Sequence, residues 1–141
     1  MNLIAGAILE MLSYENDVEL QEFEVMEDSL EERAFWVFVG IMKYRNWEHV
    51  FERDLSGLKE MLQKLEKLMV EYVPAVYQKI IDYDWDLTIF SQYYITIMLY
   101  NTPKEFGKII LDMFLLDGEK VLHSLIIRML KLNEDTIISF I

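Results

Sequence analysis

The 141-residue chain contains no cysteine, two prolines, five glycines and two histidines. Without cysteine there is no disulfide framework, no thiolate zinc site and no cysteine nucleophile. That fits a reducing compartment. His49 and His123 share no ligand spacing, so they do not read as a metal pair. Positive charge is also scarce: 13 basic residues face 25 acidic ones, for a net charge of −12. An acidic surface repels phosphate, which argues against nucleic acid and against anionic membrane surfaces as ligands. No glycine-rich phosphate loop and no G-x-S-x-G motif is present.

Apolar residues, by contrast, are abundant. They make up 53% of the chain. A domain of this length buries a modest share of its surface. The surplus therefore points to a partner, either another chain or a missing half of the same fold. Residues 1–141 read as a single domain. Leu87–Pro103 carries no charged residue. It reads as a helix enclosed nearly all round, since a surface helix would show a charged face. Its length sits at the lower limit for a bilayer span, and Thr88, Ser91, Gln92, Thr96, Asn101 and Thr102 lower its apolarity, so a transmembrane segment is not expected. The apolar N-terminal run, Leu3–Leu9, lacks the basic flank of a signal peptide.

Periodicity and stop signals assign the rest to helices. Met1–Leu12 starts a helix almost at once. Glu15–Glu32 is an acidic connector (about 14–30) with nine acidic residues and no Lys or Arg in the stretch, read as a solvated loop or, more sharply, a dock for a basic partner. Ser29 and Glu32 form a capping box for a helix over 31–43. That helix holds the apolar run Ala34–Met42, which is expected in the core. Tyr44–Asp54 connects, with Trp47 and Phe51 as anchors. Leu55, Leu58, Leu62, Leu65, Met69 and Tyr72 form the stripe of an amphipathic helix. Pro74 breaks it or starts the next. Asp82–Asp86 (DYDWD) is a turn whose bulky Tyr83 and Trp85 do not suit a metal loop. Thr102 is placed to cap a helix with Pro103 in its first position and Glu105 completing a second capping box. Gly118 ends that helix. Val121, Leu122, Leu125, Ile126, Met129, Leu130 and Leu132 line another, and Asn133 can cap a last short one. Glu48 and His49 are sequence neighbours on a helix and do not face each other, so Trp47-Glu48-His49 reads as structural. No residue is assigned a catalytic, cofactor-binding or metal-binding role, and no cofactor is implied.

Four stretches carry a family likeness. Ser91–Met98 and Ile110–Leu122 follow S-x-W-F-L-T-L-F and I-W-D-x-F-L-L-E-G-x-K-V-L. Glu32, Ala34, Phe35 and Trp36 follow E-x-A-F-W-x-F-V. The start, from Met1, follows the end of Y-x-Q-G-M-N. The chain thus resembles the C-terminal half of a TBC domain, the Rab GTPase-activating fold. Tyr93 and Leu111 stand at the family's tryptophans and Ile109 at its arginine, so part of the polar signature is replaced. The resemblance implies an all-α bundle of about six to eight helices. It also implies a link to membrane trafficking, with an intracellular location that is cytoplasmic or on a large assembly. In this alignment the family's arginine and glutamine fingers belong to motifs upstream of Met1, I-x-x-D-x-x-R and Y-x-Q-G. Gln21 and Gln92 are not in that context. Two functions stay open. One is a non-catalytic interaction or structural subunit of a larger protein assembly. The other is the back part of a Rab GTPase activator, completed by a front half that supplies the fingers and engages a Rab-type GTPase. On the first the chain is not an enzyme.

Overall fold

The computed structural model describes residues 2–19 and 27–140. Residues 20–26 of the acidic connector lie outside them. The connector is narrower than its charge run suggests, because helices enter it from both sides. Helix α1 spans Asn2–Glu19 and α2 spans Glu27–Val39. Helix α2 therefore begins two residues before Ser29, which is not its cap as the capping box implied.

The described residues form eight α-helices and no strand, so the fold is all-α. After α2, one π-helical turn, Gly40–Tyr44, and one 3-10 turn, Trp47–Phe51, lead to α3, Ser56–Tyr72. Then come α4 (Pro74–Asp82), a 3-10 turn (Leu87–Phe90), α5 (Ser91–Ile95), α6 (Lys104–Asp117), α7 (Lys120–Leu132) and α8 (Glu134–Ser139).

Helix α3 is the hub. It packs against α4, α5, α7 and both 3-10 turns. Its stripe of Leu58, Met61, Leu62, Leu65 and Met69 is buried, while the predicted end members Leu55 and Tyr72 are exposed. Each fully buried side chain of this kind contributes about 1.5–3 kcal/mol. Helix α6 packs on α7, α1 on α2, and α4 on α8. Pro74 occupies the start of α4, where its missing N–H costs nothing. Gly118 ends α6 at φ +76°, and its N–H bonds to Phe114 O at 2.8 Å.

The uncharged stretch 87–103 departs from expectation. Phe90, Tyr94 and Thr96–Leu99 are buried, but Thr88, Ile89, Gln92, Tyr100, Asn101 and Pro103 are exposed, so it is enclosed on one side and not all round. It is not one helix. Regular structure stops at Ile95, and Ile97 and Met98 take left-handed conformations at φ 52° and 58°. Two threonines favour the break. Thr96 Oγ1 donates to Gln92 O at 2.8 Å, a carbonyl that also accepts from Thr96 N at 3.1 Å, and Thr102 Oγ1 donates to Met98 O at 3.0 Å; back-bonding of this kind weakens and bends a helix. Thr102 is thereby used up and does not cap α6. Pro103 stands just before the first helical residue, and its carbonyl accepts from Gly107 N at 2.9 Å. Asn133 likewise turns away from α8: its Nδ2 donates back to Met129 O at 2.8 Å.

Candidate functional site

Helix α2 was expected to be core throughout, and it is not. Ala34 is buried, as are Ile41 and Met42 in the π turn that follows, but Phe35 is 57% and Trp36 61% exposed. Nine consecutive apolar residues cover every face of a helix, and α1 covers only one. The two rings lie edge to face, with centroids 5.4 Å apart. Beside them a shallow cavity of about 240 Å³ opens between α1 and α2, walled by Ala5, Leu9, Ala34, Phe35 and Phe38 with Glu31 at its edge.

A second apolar strip runs along the outside of α6. Phe106, Ile109, Met113 and Leu116 recur at three- and four-residue spacing, which places them on one face. All four are exposed. Their neighbours Ile110, Leu111 and Phe114 point inward and are buried. Helix α6 is thus apolar on two faces and has a partner among the described residues for one. Lys104 at its start holds Glu10 of α1 at 2.6 Å, so the α1–α2 pair and α6 are tied together. Clustered apolar surface of this extent marks an interaction site.

The titratable side chains are largely engaged in local structure. Glu48 pairs with Lys43 at 2.7 Å, and His49 Nδ1 meets the carbonyl of Asn46, so the two neighbours serve different partners. In the DYDWD turn, Asp86 accepts from Thr88 N at 2.8 Å and starts a 3-10 turn, while Asp82 accepts from Gln78. Arg45 donates through Nε to Leu115 O at 2.7 Å and through Nη2 to the carbonyls of Leu115 and Leu116. It thereby joins the π turn to the end of α6.

One polar pair lies in the core. The Tyr94 hydroxyl meets His123 Nδ1 at 2.7 Å, and both residues are buried. Burial pushes the Tyr94 phenol well above its ordinary range, with the charge of Glu119 adding to the effect. Burial also pulls the His123 imidazole below its ordinary 6.5; Glu119 opposes this and Lys64 reinforces it. Lys64 lies between Glu119 at 2.6 Å and Glu60 at 3.1 Å on the wetter side of the cluster. His123 Nε2 has no hydrogen-bond partner among the described residues. Sequence reasoning weighed His123 only against His49 and missed Tyr94. The available signal was a histidine among the apolar positions of α7. No group of three or more metal-ligating side chains converges among the described residues, and no helix there is long and apolar enough to cross a membrane.

Comparison with known proteins agrees with the likeness read from the motifs. The family model of the Rab-GTPase-TBC domain matches residues 1–138. GTPase-activating protein GYP5 of Saccharomyces cerevisiae is 28% identical over 109 residues, which is 77% of this chain and 12% of that protein. The ecotropic viral integration site 5 ortholog of Drosophila melanogaster is 26% identical over 109 residues, covering 77% of this chain and 14% of its own length. GYP5 of Eremothecium gossypii is 29% identical over 107 residues, or 74% and 13% respectively. The chain therefore spans only 12 to 14% of the length of these relatives. No solved structure matches it. With its all-α architecture and a family match over nearly the whole length, the chain belongs to the Rab-GTPase-TBC domain family.

Proposed function

We propose that this chain is a TBC-like helical scaffold that acts without catalytic fingers, as an interaction or structural subunit held by other proteins. The observation that carries the reading is the uncovered apolar surface of α2 and α6. Two elements of one small chain each present an unpartnered apolar face, and burying such faces is the main source of association energy.

The sequence supports the absence of fingers. The resemblance implies that TBC domains supply an arginine to stabilise charge on the transferring phosphoryl group and a glutamine to orient the attacking water. An arginine finger contributes about a thousandfold or more to GTP hydrolysis. None of the four arginines, Arg33, Arg45, Arg53 and Arg128, stands in an I-x-x-D-x-x-R pattern. None of the four glutamines stands in Y-x-Q-G. Arg45, the most firmly held of the arginines, is committed to backbone carbonyls of α6.

A second reading follows from the same uncovered faces. They suit the packing surface of a TBC front half, and two of the relatives matched, both GYP5, are named as GTPase-activating proteins. On this reading the chain is the back part of an active Rab GTPase activator.

A single-turnover GTP hydrolysis assay over a panel of Rab proteins separates the two. The 141 residues alone are expected to leave the intrinsic rates unchanged, and acceleration by this chain alone would refute the non-catalytic reading. Adding a TBC front half that carries both fingers tests the second. If it binds and restores hydrolysis, the chain is the back of an activator; if it does not bind, that reading fails.

A further inference from the structure

Helix α7 departs from the charge of the rest of the molecule. Lys120–Leu132 contains Lys120, Arg128 and Lys131 and no acidic residue, in a chain with 25 acidic and 13 basic residues. A groove lies on each side of it. Between α7 and α3, Leu68, Tyr72, Ser124, Ile127, Arg128 and Lys131 enclose about 400 Å³. Between α7 and α6, Met113, Lys120, Leu125 and Asp117 join the same Ser124 and Arg128 around about 450 Å³. Ser124 and Arg128 are one turn apart on α7 and form the ridge between the grooves.

The cations differ in availability. Lys131 is paired with Glu134 at 2.6 Å and Lys120 with Asp117 at 3.0 Å. Arg128 has no ion-pair partner among the described residues. An unpaired guanidinium between two apolar troughs can take a carboxylate through two parallel N–H donors.

We propose that the grooves flanking α7 form one docking surface for an acidic amphipathic helix of another protein, with Arg128 as its ion-pair anchor. The occupant's apolar side chains, spaced at three and four, enter the troughs on either side of the ridge. Its glutamates or aspartates meet Arg128, the cation of α7 that no acid of this helix bundle pairs among the described residues. Charge complementarity selects this occupant. A second copy docking α7 against α7 would set like charges together, which costs affinity. An anionic membrane or nucleic acid would also meet the surrounding acidic surface, whereas a single helix is narrow enough to lie along α7, where the one acid lining the grooves, Asp117, is already paired with Lys120. The proposal rests on the reading of the chain as an interaction subunit. The GTPase assay tests that reading and the experiment below tests the groove, so the two fail separately.

The test is fluorescence anisotropy of the intact 141-residue chain with two labelled synthetic helices. Both carry leucines at the same i, i+3, i+4, i+7 positions; one has glutamates beside them and the other lysines. The glutamate helix is expected to bind, more weakly as salt is raised, and the lysine helix to bind at least tenfold more weakly. Arg128→Glu is expected to cut affinity for the glutamate helix at least tenfold with unchanged circular dichroism. Ser124→Trp, which fills the ridge between the grooves, is expected to abolish binding without altering charge. Equal binding of both helices, absence of binding, or undiminished binding by Arg128→Glu would overturn the proposal. So would binding of phosphatidylserine vesicles in place of the glutamate helix, or sedimentation showing that copies associate through this face.

Discussion

The Tyr94 hydroxyl and His123 Nδ1 lie 2.7 Å apart inside the core, on elements 29 residues apart in sequence. No other acceptor for that hydroxyl occurs among the described residues. Tyr94 therefore donates, which places the imidazole proton on the unpartnered Nε2. Protonating Nδ1 would take the acceptor away from Tyr94 and bury a charge. The folded state thus holds His123 below its ordinary 6.5. Below pH 6.5 the unfolded chain binds a proton that the folded chain resists. The contribution of His123 is complete above 6.5 and is lost as pH falls from there toward the lowered folded value. The slope in that window is at most about 1.4 kcal/mol per pH unit. Urea melts of the native chain and of His123→Leu between pH 7.5 and 5 test this. The native chain should lose more stability across the window than the variant, and parallel curves would remove His123 as the cause. Tyr94→Phe leaves Nδ1 buried without a donor and should cost about 1–3 kcal/mol at pH 7.5.

Arg45 is expected to matter for stability through its guanidinium plane. The carbonyls of Leu115 and Leu116 sit in the last turn of α6, where backbone acceptors lack intrahelical donors and the helix end is negative. Arg45→Met should cost about 1–2 kcal/mol, discounted from the range for charged hydrogen bonds because the side chain is only partly buried. Arg45→Lys should recover less than half of that, since an ammonium cannot fork between two carbonyls. Denaturant midpoints at unchanged m-value measure both. Full rescue by lysine would show that charge alone suffices.

Much of this architecture is legible in the chain because local signals and burial agree. Leu58, Leu62, Leu65 and Met69 repeat at helical spacing and are buried, Pro74 opens α4, and Gly118 closes α6. The failures occur where two local signals compete. Thr96 and Thr102 bond to carbonyls of the preceding turn, so an uncharged stretch that should be one helix breaks at Ile97. Apolar character specifies burial in some assembly, but not which neighbour supplies it. That is why Phe35, Trp36 and the outer strip of α6 were legible as apolar and not as exposed. The Tyr94–His123 pair depends on how α5 meets α7, which spacing along the chain does not encode.

Gly57 and Gly40 give a matched pair. In the first turn of α3, a Cβ on Gly57 would fall on the backbone carbonyl of His49, which cannot yield as a flexible side chain can. Alanine there gains about 1 kcal/mol of helix propensity and should still lose about 1–3 kcal/mol overall, because α3 must move off the 3-10 turn. A Cβ on Gly40 meets nothing within 4 Å. Gly40→Ala should be neutral or raise the melting temperature. Thermal melts of the two variants decide it; a stable Gly57→Ala would show that the turn yields to α3 at no cost.

The exposed pair on α2 makes the converse claim, that large aromatic side chains can be removed at little cost. Phe35 and Trp36 are more than half exposed and their rings touch each other, so replacing both with glutamine should leave the folded chain nearly as stable, within about 0.5 kcal/mol. Glutamine is a good helix former and keeps α2 intact. The same double variant should bind less of an apolar dye and self-associate less in light scattering, because it removes the most exposed aromatic surface on α2. Acrylamide quenching adds a direct check. Trp36 and Trp85 are exposed and Trp47 is buried, so losing Trp36 should lower the quenchable share of the fluorescence. A loss of more than about 2 kcal/mol would place the pair in the core. It would also remove one of the two surfaces on which the interaction reading depends.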